Sequence, residues 1–214
     1  MSDLVKLAVI YYSATGTGTQ IATEIARAAE EAGAEVRVRK VAELAPQAAI
    51  DSNPVWAAHH AATKDVSAPT LADITWADAV IFGSPTRFGN VSAQLKQFID
   101  TLSPLWQSGE LADKVYSGFT SSGTRHGGQE TTLIALYNSI HHFGGIIVPP
   151  GYTDPVKYVD GNPYGTSHHA VWGPELGSID DDTRNAARHQ AVRTVRIARA
   201  LKLGAIRSAA QVNA

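Results

Sequence analysis

Apolar and polar positions recur along this chain in one order: a short apolar run, a polar glycine-rich loop, then apolar residues at helical spacing. Residues 4–12 form the first run, broken only by Lys6. After the loop Ser13-Ala14-Thr15-Gly16-Thr17-Gly18-Thr19-Gln20, residues Ile21, Ile25, Ala28, Ala29 and Ala32 keep a helical period and Gly33 supplies a stop. Glu35-Val36-Arg37-Val38-Arg39 alternates with period two, a second strand reached by a crossover short enough for a parallel neighbour. The unit repeats as the run Ala79-Val80-Ile81-Phe82-Gly83, the loop 84–90 and a helix bearing Leu95, Phe98, Ile99 and Leu102. It comes a third time as Val115-Tyr116-Ser117-Gly118-Phe119, the polar loop 120–129 and a helix over about 130–142. Gly145-Ile146-Ile147-Val148-Pro149 reads as a fifth strand, and a last helix, capped by Asp180 or Asp182, runs to about residue 202 with Val192, Val195 and Leu201 among its apolar positions.

Five strands alternating with helices predict an α/β fold, a doubly wound parallel sheet with helices on both faces. Two segments break the rhythm. Residues 43–77, with Pro46, Pro54 and Pro69, read as a long connection holding one short helix, and residues 150–177 as a loop without clear secondary structure around the turn Asn162-Pro163-Tyr164-Gly165. A loop of that length points to a lid, a binding loop or contacts with another subunit.

The 214 residues, 44% of them hydrophobic, fit one domain, 1–214, with a sizeable core. Lys and Arg number 18 against 20 Asp and Glu, and a net charge of -2 gives no general attraction to nucleic acid or anionic membrane. No apolar run reaches the roughly 18 residues of a membrane span. The start, Met1-Ser2-Asp3-Leu4-Val5-Lys6, lacks a secretory pattern, so the expected location is cytoplasmic. Without cysteine there is no disulfide, thiolate nucleophile or cysteine-ligated cluster, and redox chemistry has to come from a bound cofactor. The eight histidines, including His59-His60, His141-His142 and His168-His169, have no metal-ligand spacing, and no metal is expected.

In a doubly wound sheet, ligands gather beyond the carboxyl ends of the strands, where the loops 13–20, 84–90 and 120–129 fall. The first suits a phosphate: an opening helix offers unpaired N–H groups, Gly16 and Gly18 let the backbone wrap closely, and Ser13, Thr15, Thr17 and Thr19 add hydroxyls. It lacks the Gly-Lys-Ser/Thr of a nucleotide-hydrolysing loop, and Ile21 stands where a dinucleotide fingerprint needs its third glycine. A monophosphate fits better than a pyrophosphate; alternatively Thr17 or Thr19 merely caps the helix. In the second loop, Pro85 and Gly89 fix the backbone, Thr86, Arg87 and Asn90 offer donors, and Phe88 either covers a flat ring or is core, while Asn90 or Ser92 caps the next helix. Ser121, Ser122, Gly123 and Thr124 in the third loop suit a sugar chain and ring edge, and Glu130 is either a helix-dipole partner or catalytic. Trp106 is either an aromatic wall or a core or interface residue. A serine hydrolase is poorly supported, since the G-x-S-x-G elbow is missing.

These residues resemble the WrbA-like NAD(P)H:quinone oxidoreductases of the flavodoxin-like superfamily over about 5–203, above all in Tyr12-Ser13, Gly83-Ser84-Pro85-Thr86-Arg87-Phe88-Gly89-Asn90, His126-Gly127-Gly128-Gln129-Glu130 and Pro163-Tyr164-Gly165. The resemblance implies strand order 2-1-3-4-5 and non-covalent FMN. It implies NADH or NADPH as donor, a quinone as acceptor at the same flavin face, and a homotetramer built as a dimer of dimers. Ser13, Thr15, Gly16, Thr17, Gly18 and Thr19 correspond to the phosphate loop, Pro85, Thr86, Arg87, Phe88, Gly89 and Asn90 to the ring loop, and Ser121, Ser122, Gly123 and Thr124 to the second flavin loop. Trp106 matches a tryptophan near the substrate cavity and His142 a histidine near the flavin; with Arg87 they are the expected catalytic residues. Phe143 departs from the family, which often has a second histidine or a tryptophan there, and the phosphate loop is unusually rich in Thr and Gly. The expected reaction is a ping-pong two-electron reduction of quinones; the rivals are a flavodoxin-type electron carrier and a regulatory FMN protein.

Overall fold

The computed structural model describes residues 4–171, 173 and 176–212, with side chains as far as Ala205; Met1, Ser2 and Asp3 of the start lie outside the described residues. The elements run β1 (Val5–Tyr11), α1 (Thr17–Glu31), β2 (Ala34–Lys40), α2 (Gln47–Asp51), α3 (Pro54–Ala62), α4 (Leu71–Trp76), β3 (Ala79–Pro85) and α5 (Ala93–Asp100). They continue with α6 (Ser103–Gln107), β4 (Val115–Ser122), α7 (Gln129–Phe143), β5 (Ile146–Ile147), α8 (Val156–Asp160), β6 (Thr166–His169) and α9 (Asp181–Val212). The sheet is parallel in the expected order β2-β1-β3-β4-β5, with β6 as an additional strand beside β4.

The strands read as near-continuous apolar runs because both faces of the sheet are covered. Alternate residues of β1 point to opposite layers. Leu7, Val9 and Tyr11 enter the core under α1 and α9, with Ile21, Ile25, Ala187 and Val195. Ala8, Ile10 and Tyr12 enter the core under α5 and α7, with Phe82, Leu95, Tyr116 and Ile140. Each fully buried aliphatic or aromatic side chain in these layers contributes about 1.5–3 kcal/mol.

Two features depart from the sequence reading. The segment 43–77 holds three short helices, α2, α3 and α4, rather than one, each too short for a helical period to show. It is pinned by polar contacts: Lys40 Nζ donates to Thr63 Oγ1 (2.6 Å), and Asp73 receives Arg37 (3.2 Å) and Arg39 (3.0 Å). The fifth strand is split, and residues 150–177, expected as a loop without clear secondary structure, hold α8 and β6. β5 pairs only with Val115 and Tyr116, the chain leaves through α8, which carries the buried ion pair Lys157–Asp160, and β6 returns beside residues Phe119, Thr120, Ser121 and Ser122. This second pairing draws β4 out to Ser122, so Thr120, Ser121 and Ser122 belong to a buried strand end rather than to a loop.

The gap between β5 and β6 is closed by α9. Gln190 Nε2 donates to Ser117 Oγ (2.8 Å) and to Gly118 O (2.7 Å), and Gln190 Oε1 accepts from Thr166 N (2.7 Å). Asp180 caps α9 by accepting from Thr183 N (2.7 Å), and the helix runs on past residue 202. No described helix is long and apolar enough to cross a membrane.

Candidate functional site

β1 has β2 on one side and β3 on the other, so the loops after β1 and β3 diverge and leave a crevice at the topological switch. A cleft of about 150 Å³ opens there. Ser13, Ala14, Thr15, Thr17 and Gly18 form one wall and Pro85, Thr86 and Arg87 the facing one; Ser121, Ser122 and Gly123 lie at the end of β4, with Ala170 and Leu176 closing over. The volume is below the roughly 300 Å³ of a small ligand pocket, so the cleft encloses part of a ligand and leaves the rest at the surface.

The first wall is an anion cradle. Gly16 stands before α1 at φ 109°, a left-handed conformation that suits glycine, and donates its N–H to Ser13 Oγ (3.1 Å). The first helical hydrogen bond is Gln20 N to Gly16 O (3.0 Å), so the amides of Thr17, Gly18 and Thr19 have no helical acceptor. No acidic side chain occupies this first turn. The Thr17 hydroxyl, on a residue 3% exposed, has no hydrogen-bond partner. A buried orphan hydroxyl is costly unless a ligand satisfies it, and beside free amides it marks an oxyanion position. Neither Thr17 nor Thr19 caps the helix through its side chain. Thr19 does not line the cleft; its Oγ1 bonds His59 Nε2 (2.8 Å).

The ring loop is a tight turn. Arg87 N donates to Asn90 O (2.7 Å) and Asn90 N to Arg87 O (3.1 Å), which places Phe88 at φ 54° and Gly89 at φ 78°. Phe88 is fully exposed at the tip, so it is not core. Ser92, not Asn90, caps α5, accepting from Leu95 N (3.4 Å). The Thr86 hydroxyl ties the loop to α7, accepting from Thr132 Oγ1 (2.8 Å) and from Gly89 N (3.2 Å). Ser122 is held from behind by Gln129, whose Nε2 donates to Ser122 Oγ (2.9 Å) and His168 O (3.2 Å); Thr124 and Asn90 lie at the exposed rim.

Trp106 and His142 are brought together, but not at this cleft. Trp106 Nε1 donates to His142 O (2.8 Å), and both side chains are exposed. α7 starts beside the cleft at the carboxyl ends of the strands, and at 1.5 Å per residue His142 lies about 20 Å away, toward their amino ends, where Asp113 N meets Gly144 O. Within one copy of the chain these two do not reach the cradle.

Sequence reasoning missed the residues that support the cleft from the 43–77 segment. Glu43 accepts from Tyr12 Oη (2.6 Å), Gln94 Nε2 (2.7 Å) and Trp56 Nε1 (3.1 Å), and Tyr12 has its own ionisation pushed up by burial and by Glu43. No motif marks Glu43 or His59; their approach is tertiary. A larger, more open cleft of about 810 Å³ lies across the 168–171 wall, between Arg125, His168 and Asp180, but its His168 Nδ1 is already bonded to Thr183 Oγ1 (2.8 Å).

A profile of the NADPH-dependent FMN reductase family matches residues 5–154. The chain is 49% identical over 198 residues to a NAD(P)H dehydrogenase (quinone) of Deinococcus radiodurans, covering 92% of this chain and 97% of that one. A protein of the same name from Sinorhizobium fredii is 37% identical over 202 residues, with 91% and 98% covered. Among solved structures, a flavodoxin, WrbA-like protein from Agrobacterium tumefaciens superposes with a TM-score of 0.63 at 26% identity, covering 91% of this chain and 98% of that one. Sheet order, cradle and paired strand-end loops define a flavodoxin-like flavoprotein, and its cofactor is FMN. Within that class the chain belongs to the WrbA-like NAD(P)H dehydrogenase (quinone) family.

Proposed function

We propose that this protein is an FMN-dependent NAD(P)H:quinone oxidoreductase that takes its donor and acceptor in turn, by a ping-pong sequence, at one open flavin face. The observation that carries the reading is the buried, unpartnered Thr17 hydroxyl beside the free amides of α1, at the head of a cleft too small to enclose a whole flavin. Ser13, Thr15, Gly16, Thr17 and Gly18 would hold the phosphate, and the 85–90 turn and residues 121–124 would hold the ring. When bound, FMN supplies the two-electron chemistry, accepting from NADH or NADPH and delivering to a quinone.

The chain's own residues orient and tune. Arg87, exposed at the rim of the cleft, would offer positive charge to a cofactor that gains negative charge on reduction. Phe88 and Gly89 present the turn to the ring, and Ser121, Ser122, Gly123 and Thr124 offer hydroxyls and amides to the ribityl chain. The Trp106–His142 edge serves a neighbouring copy: in a homotetramer built as a dimer of dimers, Trp106 walls the substrate space and His142 delivers protons in trans. We further infer that the chain works as one domain and in the cytoplasm, where reduced nicotinamide nucleotides are available.

Anaerobic stopped-flow mixing of the FMN form with NADH, and separately with NADPH, tests the reading. Rapid bleaching of the oxidised-flavin absorbance, recovery on adding benzoquinone and parallel double-reciprocal plots are expected. If neither donor bleaches the flavin, the electron-carrier reading replaces this one.

A further inference from the structure

Helix α3 has no fully buried residue, and polar contacts tie it to the strand ends. Asn53 caps its start, accepting from Val55 N (3.0 Å), and Trp56 reaches Glu43. Its His59 turns toward the phosphate loop and bonds it at two points, packing over Gly16 between them. Nδ1 lies 3.0 Å from Ala14 O, Nε2 lies 2.8 Å from Thr19 Oγ1, and Cδ2 sits 3.5 Å from where a Cβ on Gly16 would stand. A carbonyl oxygen only accepts, so Nδ1 carries the hydrogen, and Nε2 is the acceptor for the Thr19 hydroxyl. The Tyr11 hydroxyl closes on the same Thr19 side chain. Burial, with Lys40 nearby, holds the imidazole down to a pKa of about 4, consistent with that neutral tautomer.

We propose that His59 is the positioning residue of the phosphate loop: a neutral imidazole that clamps Ala14 to Thr19 across Gly16 and so holds the first-turn amides of α1 in a phosphate-receiving arrangement. The inference rests on the assignment of FMN phosphate to this loop. A cradle of backbone N–H groups binds tightly only if the groups are fixed before the anion arrives, since ordering them on binding consumes affinity. α1 cannot fix the loop by a side-chain cap, because its N-cap is Gly16 and it has none. His59 supplies that restraint from outside. Its uncharged state means that it acts by geometry, not by attraction to the phosphate.

The test is the affinity of the full-length apoprotein for FMN and for riboflavin, which lacks the phosphate, measured by flavin fluorescence quenching, with apoprotein melting as the folding control. His59→Ala is expected to weaken FMN binding about tenfold, the worth of one to two hydrogen bonds, while riboflavin binding changes less than about twofold. His59→Asn keeps the N–H to Ala14 O and is expected to recover most of the FMN affinity, whereas His59→Lys is not. If H59A preserves the FMN-to-riboflavin ratio of the unmodified protein, or if H59K restores it and H59N does not, the positioning role is overturned. If the unmodified protein itself fails to prefer FMN over riboflavin, the phosphate assignment falls and takes this proposal with it.

Discussion

Tyr12 donates its phenolic hydrogen to Glu43 across 2.6 Å, and this bond joins the end of β1 to the segment that follows β2. Glu43 also receives Gln94 Nε2, Trp56 Nε1 and the amides of Leu44 and Ala45. Burial acts to raise its pKa, but the combined donors outweigh that and hold the carboxyl below its ordinary value. One carboxylate thereby ties three elements around the cleft.

Glu43→Gln turns one acceptor oxygen into a donor facing Tyr12 and Trp56, and is expected to cost about 1–3 kcal/mol of stability at pH 7. The sign with pH follows from the lowered folded pKa. The charged form's contribution is complete above the unfolded carboxylate value and is lost as pH falls through the folded one. Urea unfolding of E43Q and the unmodified protein should therefore show a gap that narrows from pH 7 toward pH 3. A gap unchanged over that range would mean that the carboxylate charge is not what the donors hold.

Gln190 is the patch in the split fifth strand, and its removal tests that role. Gln190→Leu is close in volume but leaves Gly118 O and Thr166 N without their partners in a buried environment. Each such group costs about 1–3 kcal/mol, so a loss of about 2–4 kcal/mol is expected in denaturant unfolding. Protection of the Thr166 amide from hydrogen exchange should fall in the same variant. A loss under about 1 kcal/mol would show that the gap is closed by something other than this side chain.

What was legible in the sequence, and what was not, divides along physical lines. β1, β3 and β4 announced themselves as apolar runs because both faces of a parallel sheet are buried, and Gly16 and Gly18 marked a close-wrapping loop. β6, Thr166-Ser167-His168-His169, carries no apolar pattern: it is held by backbone pairing to β4 and by polar side-chain contacts such as His168 to Thr183. Its partner stretch, Thr120, Ser121 and Ser122, looked like loop for the same reason. Trp106 and His142 are matched by resemblance, which carries no distance, and the geometry puts them together toward the amino ends of the strands, away from the cleft. His59 was set aside with His60 as a poor metal pair; only the fold brings it to Thr19.

The orphan hydroxyl of Thr17 separates folding from binding. Thr17→Val keeps the shape and removes a buried hydroxyl that has no partner in the protein. The apoprotein is expected to be as stable as before or more so, by up to about 1 kcal/mol, because an unsatisfied polar group has been taken out of the interior. FMN affinity should fall about tenfold, since a hydrogen bond to an anionic oxygen is worth more than a neutral one. Apoprotein melting and flavin titration decide the matter, and weaker folding with unchanged FMN binding would place Thr17 in the core rather than in the cradle.

Phe88 is the sharpest conflict between folding and use on this surface. It is fully exposed, so it contributes no burial, and its φ of 54° is a left-handed conformation that a non-glycine residue adopts at a cost of about 1–2 kcal/mol. The turn that imposes it is fixed by Arg87–Asn90 pairing and by the Thr86 hydroxyl on Gly89 N, so the strain is built into the ring loop. Phe88→Gly relieves the strain but also gives the unfolded chain more freedom, and the two effects oppose each other. Thermal stability is therefore expected to stay within about 1 kcal/mol of the unmodified protein. If the ring is there to cover the flavin edge and the incoming quinone, kcat/KM for benzoquinone should drop about tenfold, equivalent to about 1.4 kcal/mol of lost transition-state binding. Melting and steady-state turnover of F88G read the two sides separately. Turnover retained at the level of the unmodified protein would leave the strained, solvent-facing ring without a role in the reaction.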